Sequence, residues 1–159
     1  MENNYSTSIL EVTKSLESLS LPKEPSSFGE KYAFPEEVTK SSLIEIGRWM
    51  FKLAAWRSYC LRLLSHEELE YNILKKSFDL GVNNTAFELE KKQEKKSTKD
   101  FLISNTIVNN VAFKKVQVQL IEKESKIKAL LRLLDMYQIQ ADCISRELTR
   151  RDLELKTSR

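Results

Sequence analysis

The sequence predicts an all-α protein, and three observations carry that prediction. The 159-residue chain contains only three glycines and three prolines, too few for the many tight turns of an all-β fold. Two long segments repeat apolar residues at steps of three and four, which is the period of one helix face. Carboxylates alternate with lysines along the chain, as they do on solvated helix surfaces. The expected architecture is a long antiparallel helical hairpin with a shorter middle helix and a flexible N-terminal arm, assembling as an oligomer.

Residues 1–32 are predicted to form the N-terminal arm and linker, ahead of a helical domain over residues 33–159. Pro22 and Pro25 end a short amphipathic piece at the start of the arm. Residues 1–40 carry four basic and seven acidic side chains, whereas the whole chain has a net charge of +3. An acidic arm before a basic body permits a polyanionic partner.

The first long helix has two candidate starts. Pro35 suits a first helical turn, and Ser42 stands three residues before Glu45 as in a capping box. Gly81 is the expected stop after Leu80. Gly47 costs about 1 kcal/mol relative to alanine inside a helix, so it either lets another helix approach closely or is simply tolerated.

An apolar stripe runs along this helix at steps of three and four, with Arg57 as its one charged member. Trp49 and Trp56, seven residues apart, widen the stripe. Their spacing favours packing in the core over binding of bases. The stripe consists of Leu43, Ile46, Met50, Leu53, Arg57, Cys60 and Leu64.

The middle of the chain is less regular. Residues 88–100 form a charge run, typical of a solvated face or a flexible connection. Residues 101–120 keep helical steps, but three asparagines weaken them, which predicts a broken helix. Residues 116–120 alternate as in a strand, so a small β-hairpin is the alternative.

The last segment carries a heptad seam and is predicted to be a helix from about residue 118 to 155. Leu131, Leu133, Trp49 and Trp56 lie off the seam and need another cover. Self-association would supply it, and the alternative is that residues 1–21 or 101–113 fold back over them in a monomer. The residues predicted for oligomerisation are Leu130, Leu134, Tyr137, Ile144 and Leu148.

Catalytic and cofactor chemistry find little support in the sequence. Three scattered glycines cannot form a phosphate-binding loop. His66 is predicted to be an exposed surface histidine, and its grouping with Glu67 and Glu70 is weak as a metal site. Cys60 and Cys143 are expected to be reduced, buried thiols. We therefore expect neither an enzyme nor a bound cofactor or metal.

No stretch is apolar enough to span a membrane, and the first residues lack the basic start and apolar run of a signal peptide. A cytoplasmic location is therefore expected. If the chain comes from a phage, that location is the cytoplasm of the host cell.

Basic residues interleaved with aromatic ones are the better functional candidates, because lysine and arginine neutralise phosphates and aromatic faces accept unstacked bases. This mixture predicts a site for single-stranded DNA. For Lys75 and Lys76, the alternative is a favourable interaction with the C-terminus of their helix. The predicted DNA-binding residues are Arg48, Lys52, Arg62, Lys75 and Lys76.

A second basic cluster lies near the end of the chain. Arg146, Arg150 and Arg151 are spaced for one helix face. They either bind phosphates or pair with Glu147, Asp152 and their neighbours.

The order and spacing of several segments resemble the phage recombination mediators of the UvsY type. The resemblance covers about residues 30–80 and 116–151. Its segments are 32–33 (YA), 47–50 (GRWM), 74–79 (LKKSFD), 133–135 (LLD), 142–144 (DCI) and 145–151 (SRELTRR).

The resemblance implies a small helical protein that forms a homo-oligomer and binds single-stranded DNA. Such a mediator helps a RecA-like recombinase replace the single-strand-binding protein during phage recombination, repair and replication. Family DNA-binding positions correspond to Lys75 and Lys76, and the C-terminal helix is tied to oligomerisation. The alternative function is that of a structural or scaffolding coiled-coil protein of a phage particle, without a DNA-binding role.

Overall fold

A computed structural model of the chain describes residues 22–26, 34–92 and 98–157. Within these ranges, helix α1 spans Leu43–Lys92, α2 spans Lys99–Asn109 and α3 spans Val111–Thr157, and a 3-10 turn over Val38–Lys40 precedes α1. None of the described residues belongs to a β-strand. The all-α prediction with a shorter middle helix is confirmed. Most of the predicted arm lies outside the described residues, which include only residues 22–26 of it.

Helix α1 begins at the capping box of Ser42 and Glu45. The Ser42 backbone N–H donates to Glu45 Oε2 at 2.8 Å, and the Glu45 N–H donates back to Ser42 Oγ at 3.3 Å. These bonds satisfy donors that have no partner within the helix. They also lower the pKa of Glu45, with the Ser42 backbone N–H as the largest cause. Of the two predicted starts, Ser42 is right, and Pro35 lies in irregular chain before the helix.

The predicted stop at Gly81 is wrong, because α1 continues to Lys92. A Cβ at Gly81 would lie only 3.1 Å from Cε1 of the Phe113 ring. The missing side chain therefore makes room for an aromatic ring and does not end the helix. Phe113 also meets Phe78 edge to face, with ring centroids 5.9 Å apart.

Residues 101–120 form a broken helix, as predicted, and the alternative of a β-hairpin is wrong. The break is at Asn110, whose side-chain Oδ1 accepts the N–H of Ala112 at 2.9 Å. Asn110 is thus the N-cap of α3. Helix α3 starts seven residues earlier than the predicted 118, because this cap supplies the partner that the first turn needs.

The chain divides into two compact units. The first unit comes from Met1–Leu64 and Ala129–Arg159, and the second from Ser65–Lys128. In the first unit, Trp56 of α1 contacts Tyr137 of α3 with ring centroids 5.8 Å apart, and Arg151 further along α3 donates to the Ser41 carbonyl just before α1. A contact nearer the start of α1 thus involves a residue nearer the end of α3, so the two helices run antiparallel in this unit.

The core of the first unit contains four residues of the predicted stripe, Ile46, Leu53, Cys60 and Leu64. Trp56 is only 4% exposed, and Trp49 packs edge to face against both Trp56 and Phe34. Leu43 and Arg57 instead face outward. Burying a large indole gains more than burying a leucine, so the buried face of α1 extends to Trp56 and leaves Leu43 outside. The core residues are Ile46, Leu53, Trp56, Cys60, Leu64, Leu134, Tyr137 and Ile144.

The residues predicted for oligomerisation pack largely against other residues of the same chain. Leu134, Tyr137 and Ile144 are buried in the first unit, and Leu130 and Leu148 are half-buried. Their role in oligomerisation stays a prediction.

The second unit is also antiparallel. Lys123 of α3 pairs with Glu67 and Glu70 of α1, and Phe113 contacts Phe78 further along. Leu102 and Thr106 of α2 are buried, and the Thr106 hydroxyl donates to the Leu102 carbonyl at 2.7 Å. Residues 93–97 of the predicted charge run lie outside the described residues. Among the helices that the structure describes, none combines the length and the apolar character needed to cross a membrane.

Candidate nucleic-acid interface

Lys75 and Lys76 lie side by side and exposed on α1 in the second unit. The Lys75 Nζ stands over the ring of Tyr71, one helical turn earlier, at 5.7 Å from the ring centroid. Cations favour this position over an aromatic face. Lys76 forms no ion pair with any residue that the structure describes. Both lysines are therefore presented to solvent, one of them beside a half-buried aromatic ring.

Helix α3 contributes a further lysine to the same surface. Lys128 Nζ pairs with Glu124 at 2.7 Å on α3, and the field of Lys75 reaches Glu124 from α1. We call Tyr71, Lys75, Glu124 and Lys128 the Tyr71 cluster. Sequence reasoning missed Lys128 and Glu124, because their spacing indicates only a surface ion pair and their place beside Lys75 depends on how the two helices align.

The electrostatics of the Tyr71 cluster combine two cations with one carboxylate. The hydrogen bond from Lys128 is the largest cause of the lowered pKa of Glu124, followed by the charge of Lys128, and Lys75 adds to it. The hydrogen bond to Glu124 in turn raises the pKa of Lys128. Both shifts favour the charged forms of Glu124 and Lys128. A phosphate that binds the lysines must compete with Glu124.

A phosphate and an unstacked base could both be accommodated at the Tyr71 cluster. The lysine ammonium groups are mobile point charges that suit phosphate oxygens. The Tyr71 ring offers a face on which a base can stack. The combination lacks the planar, bidentate donors that read base edges, so it would bind with little sequence preference.

Lys123 shows the opposite use of a lysine in the same unit. Its Nζ lies 3.1 Å from Glu67 Oε2 and also bonds Glu70, and its side chain is only 23% exposed. Burial by itself would lower the pKa of Lys123, but the hydrogen bonds to the two carboxylates outweigh burial and raise it. Lys123 thus joins α3 to α1 and is not available to a ligand.

The other three predicted DNA-binding residues belong to the first unit. Arg62 Nη1 donates to the Pro22 carbonyl at 2.9 Å, so it holds residues 22–26 against α1. Lys52 Nζ lies 5.5 Å from the centroid of the Trp49 ring. Arg48 is exposed. None of the three has a described arrangement as rich in cations as the Tyr71 cluster.

Two of the three arginines of the second basic cluster, Arg150 and Arg151, pair with Glu147, which was one of the two predicted interpretations, whereas Arg146 is exposed and makes no described ion pair. Arg150 donates to both Glu147 oxygens at 2.8 and 2.9 Å, and Arg151 Nε donates to Glu147 at 2.6 Å. Hydrogen bonds from Arg150 and then Arg151 lower the pKa of Glu147 to about 2. Arg151 also donates to the carbonyls of Thr39 and Ser41 at 2.9 and 2.8 Å. Arg151 therefore stabilises the turn before α1.

The predicted histidine and cysteine environments are confirmed in part. His66 is exposed, as predicted, with its Nδ1 3.7 Å from Glu70. Glu67 and Glu70 both bind Lys123, and no group of three metal-ligating side chains occurs in the part of the chain that the structure describes. Cys60 is a free, buried thiol, but Cys143 is exposed, because it lies one residue before the buried Ile144 and faces away from the core.

Comparisons with known proteins bring no relative of this chain. No protein-family model, no curated protein and no solved structure matches it significantly.

Proposed function

We propose that this chain binds single-stranded DNA as a homo-oligomer and acts as a recombination mediator that helps a RecA-like recombinase replace the single-strand-binding protein. The observation that carries the DNA-binding part is the Lys75 ammonium over the Tyr71 ring, with Lys128 and Lys76 on the same unit. Cations and a stacking surface together are the recurrent equipment of proteins that bind single strands without sequence preference.

Single-stranded DNA fits this equipment better than a duplex does. The bases of a duplex are stacked on each other and cannot use the face of Tyr71, whereas the bases of a single strand can. Each chain would offer only a few phosphate contacts, and so a weak site. A homo-oligomer lines up several such sites along one strand, and effective concentration then replaces tight single contacts.

The mediator role rests on the resemblance to the UvsY-type family, which implies exchange between a single-strand-binding protein and a recombinase. Such an exchange needs a weak, multivalent grip on the strand that can be released stepwise. The free energy comes from binding and exchange alone, so the proposed role needs no nucleotide or cofactor. The proposed partners are single-stranded DNA, the recombinase and the single-strand-binding protein.

The experiment is a titration of a fluorescent oligothymidine at several salt concentrations. The logarithm of affinity should fall with the logarithm of salt, with a slope of about −0.7 per phosphate contact. The double variant Lys75→Ala/Lys76→Ala should lose affinity and show a slope shallower by about 1.4. The matched control is Lys40→Ala/Lys156→Ala, which removes the same charge from local surface ion pairs in the first unit and should bind as the unchanged chain does.

A scaffolding role in a phage particle is the second candidate. Phe51 and Val111 are 82% and 81% exposed, and large exposed apolar side chains favour protein partners. In that case the titration shows no salt-dependent DNA binding, and the lysine variant is indistinguishable from its control.

A further inference from the structure

One face of α1 in the first unit is uncharged and largely exposed. Its residues follow one another at steps of three and four, which places them on a single line along the helix. Phe51 is 82% exposed, Ile44 69% and Leu61 46%. We call this face the outer stripe, and its members are Ile44, Gly47, Phe51, Ala54, Ser58 and Leu61. In a chain of which 31% is charged, six uncharged residues in a row on one outward helix face require an explanation.

Gly47 lies in the outer stripe beside open space. A glycine in a helix interior costs about 1 kcal/mol relative to alanine. Gly81 offsets that cost by admitting Phe113, but no described atom lies within 4 Å of the position that a Cβ of Gly47 would occupy. Nothing described within the chain therefore requires a glycine there. The space at Gly47 suits a helix backbone that approaches from outside.

We propose that the outer stripe binds the outer stripe of a second copy, with the two helices antiparallel about a two-fold axis between Phe51 and Ala54. This inference rests on the homo-oligomer of the proposed function and names its interface. An isologous contact requires each residue to meet a suitable one in the reversed order. Reversal puts Phe51 over Ala54, Gly47 beside Ser58 and Ile44 beside Leu61. The large ring thus meets a small residue, and glycine meets serine one turn farther from the axis.

The polar groups at the interface agree with this pairing. The Ser58 hydroxyl donates to the Ala54 carbonyl at 2.9 Å within α1, so it can be covered without losing a partner. Of the flanking cations, Arg48 and Arg57 lie on opposite sides of the stripe, and Arg62 at its end donates to the Pro22 carbonyl. In the antiparallel order, the neighbours nearest to Arg48 and Arg57 across the interface are Ala55 and Met50, so like charges do not face each other.

The area of the interface sets its strength. The stripe covers 18 residues, or about 26 Å of helix, and two such faces give an interface at or below the lower end of specific ones, which is about 1,200 Å². We therefore expect a concentration-dependent dimer in the absence of DNA.

Sedimentation velocity over a range of concentrations measures this dimer. Phe51→Lys should weaken association at least tenfold, and circular dichroism should be unchanged because the ring is exposed. The matched control is Ile139→Lys, which charges a 63% exposed residue of α3 in the same unit. The control should associate normally. A Phe51→Lys variant that associates as strongly as the unchanged chain, or a loss seen only with Ile139→Lys, overturns the proposal.

Cross-linking tests the orientation. In a Cys143→Ser background, Gly47→Cys and Ser58→Cys chains should form a mixed disulfide with each other faster than either forms one alone. A parallel pairing would instead link Gly47→Cys chains to themselves, and would contradict the proposed axis. These measurements contain no DNA, so their failure leaves DNA binding by Lys75 and Lys76 to be judged by its own titration. Loss of DNA binding with an intact mixed disulfide would reject the proposed function and keep the interface.

Discussion

The two units use the same kinds of charged residue for different purposes. In the first unit, Arg150 and Arg151 close on Glu147, whose side chain is 6% exposed, and Arg151 continues to backbone carbonyls. In the second unit, Lys128 and Lys75 share Glu124 at an exposed surface beside Tyr71. Both arrangements place two cations around one carboxylate. In the first unit the carboxylate is buried, and we call Glu147, Arg150 and Arg151 the brace because they serve a structural purpose. In the second unit the carboxylate is exposed and the lysines have further N–H donors for a ligand, which makes the Tyr71 cluster a candidate binding site.

The largest effect is expected from removing the brace at Arg151. Arg151→Ala should lower the free energy of unfolding by about 2 kcal/mol, because it removes charge-assisted hydrogen bonds to Glu147 and to the turn before α1. Urea denaturation followed by circular dichroism measures this change. The control is Arg146→Ala on the same helix, whose exposed side chain makes no described ion pair and whose loss should change stability little. Equal effects in the two variants would contradict the structural role of Arg151.

The brace should also make stability depend on pH. Glu147 has a pKa of about 2 in the folded chain against an ordinary 4.5. The carboxylate form is thus favoured by folding, and its contribution is present above about pH 4.5 and lost as pH falls toward 2. Unfolding curves at pH 6, 4 and 3 should show a smaller loss for Glu147→Gln than for the unchanged chain. Parallel losses in the two proteins would place the acid sensitivity elsewhere.

The ring of Tyr71 provides a sharper test of the exposed cluster. Tyr71→Ala should weaken binding of oligothymidine by about tenfold, since stacking of a base on an aromatic ring contributes about 1–3 kcal/mol. Tyr71→Phe keeps the ring face and should bind almost normally. Both are measured by anisotropy at one salt concentration. If Tyr71→Phe loses as much affinity as Tyr71→Ala, the hydroxyl matters more than the ring, and stacking is the wrong explanation.

The smallest effect is expected at Glu124, which competes with phosphate for the two lysines. Glu124→Gln should strengthen DNA binding by about threefold, in line with the modest free energy of an exposed ion pair. Glu122→Gln removes the same charge from an exposed residue two positions earlier. It should have a smaller effect, because Glu122 is not held against the lysines. An equal gain in both variants would indicate a general effect of net charge.

Local chemistry made part of the fold predictable from the sequence. Ser42 and Glu45 form the predicted cap, and the asparagines before Asn110 weaken the helix where it breaks. Gly81 was misleading, because a glycine that ends a helix and a glycine that admits a ring look alike until Phe113 is placed opposite it. The buried face of α1 was predicted for Ile46, Leu53, Cys60 and Leu64, whereas Leu43 and Arg57 are exposed.

The candidate site was less predictable than the fold. Lys75 and Lys76 stand out because they are adjacent and basic. Lys128 and Glu124 join Lys75 only through the alignment of α1 with α3, which depends on contacts between residues far apart in the sequence. The internal pairing of Arg150 and Arg151 could be anticipated as an alternative, but the carbonyls that Arg151 binds belong to a turn 110 or more residues earlier in the chain.

The fit of Phe113 against Gly81 has a consequence for how the second unit assembles. Two antiparallel helices with regular apolar repeats can slide by one heptad and still bury much the same kind of surface. Sliding by seven residues would place the Phe113 ring opposite Leu74 or Glu88 instead of a bare backbone. Either side chain is far larger than the methyl group that would already lie 3.1 Å from the ring at Gly81. The absence of a side chain at Gly81 thus favours one alignment of the two helices over alignments shifted by a heptad.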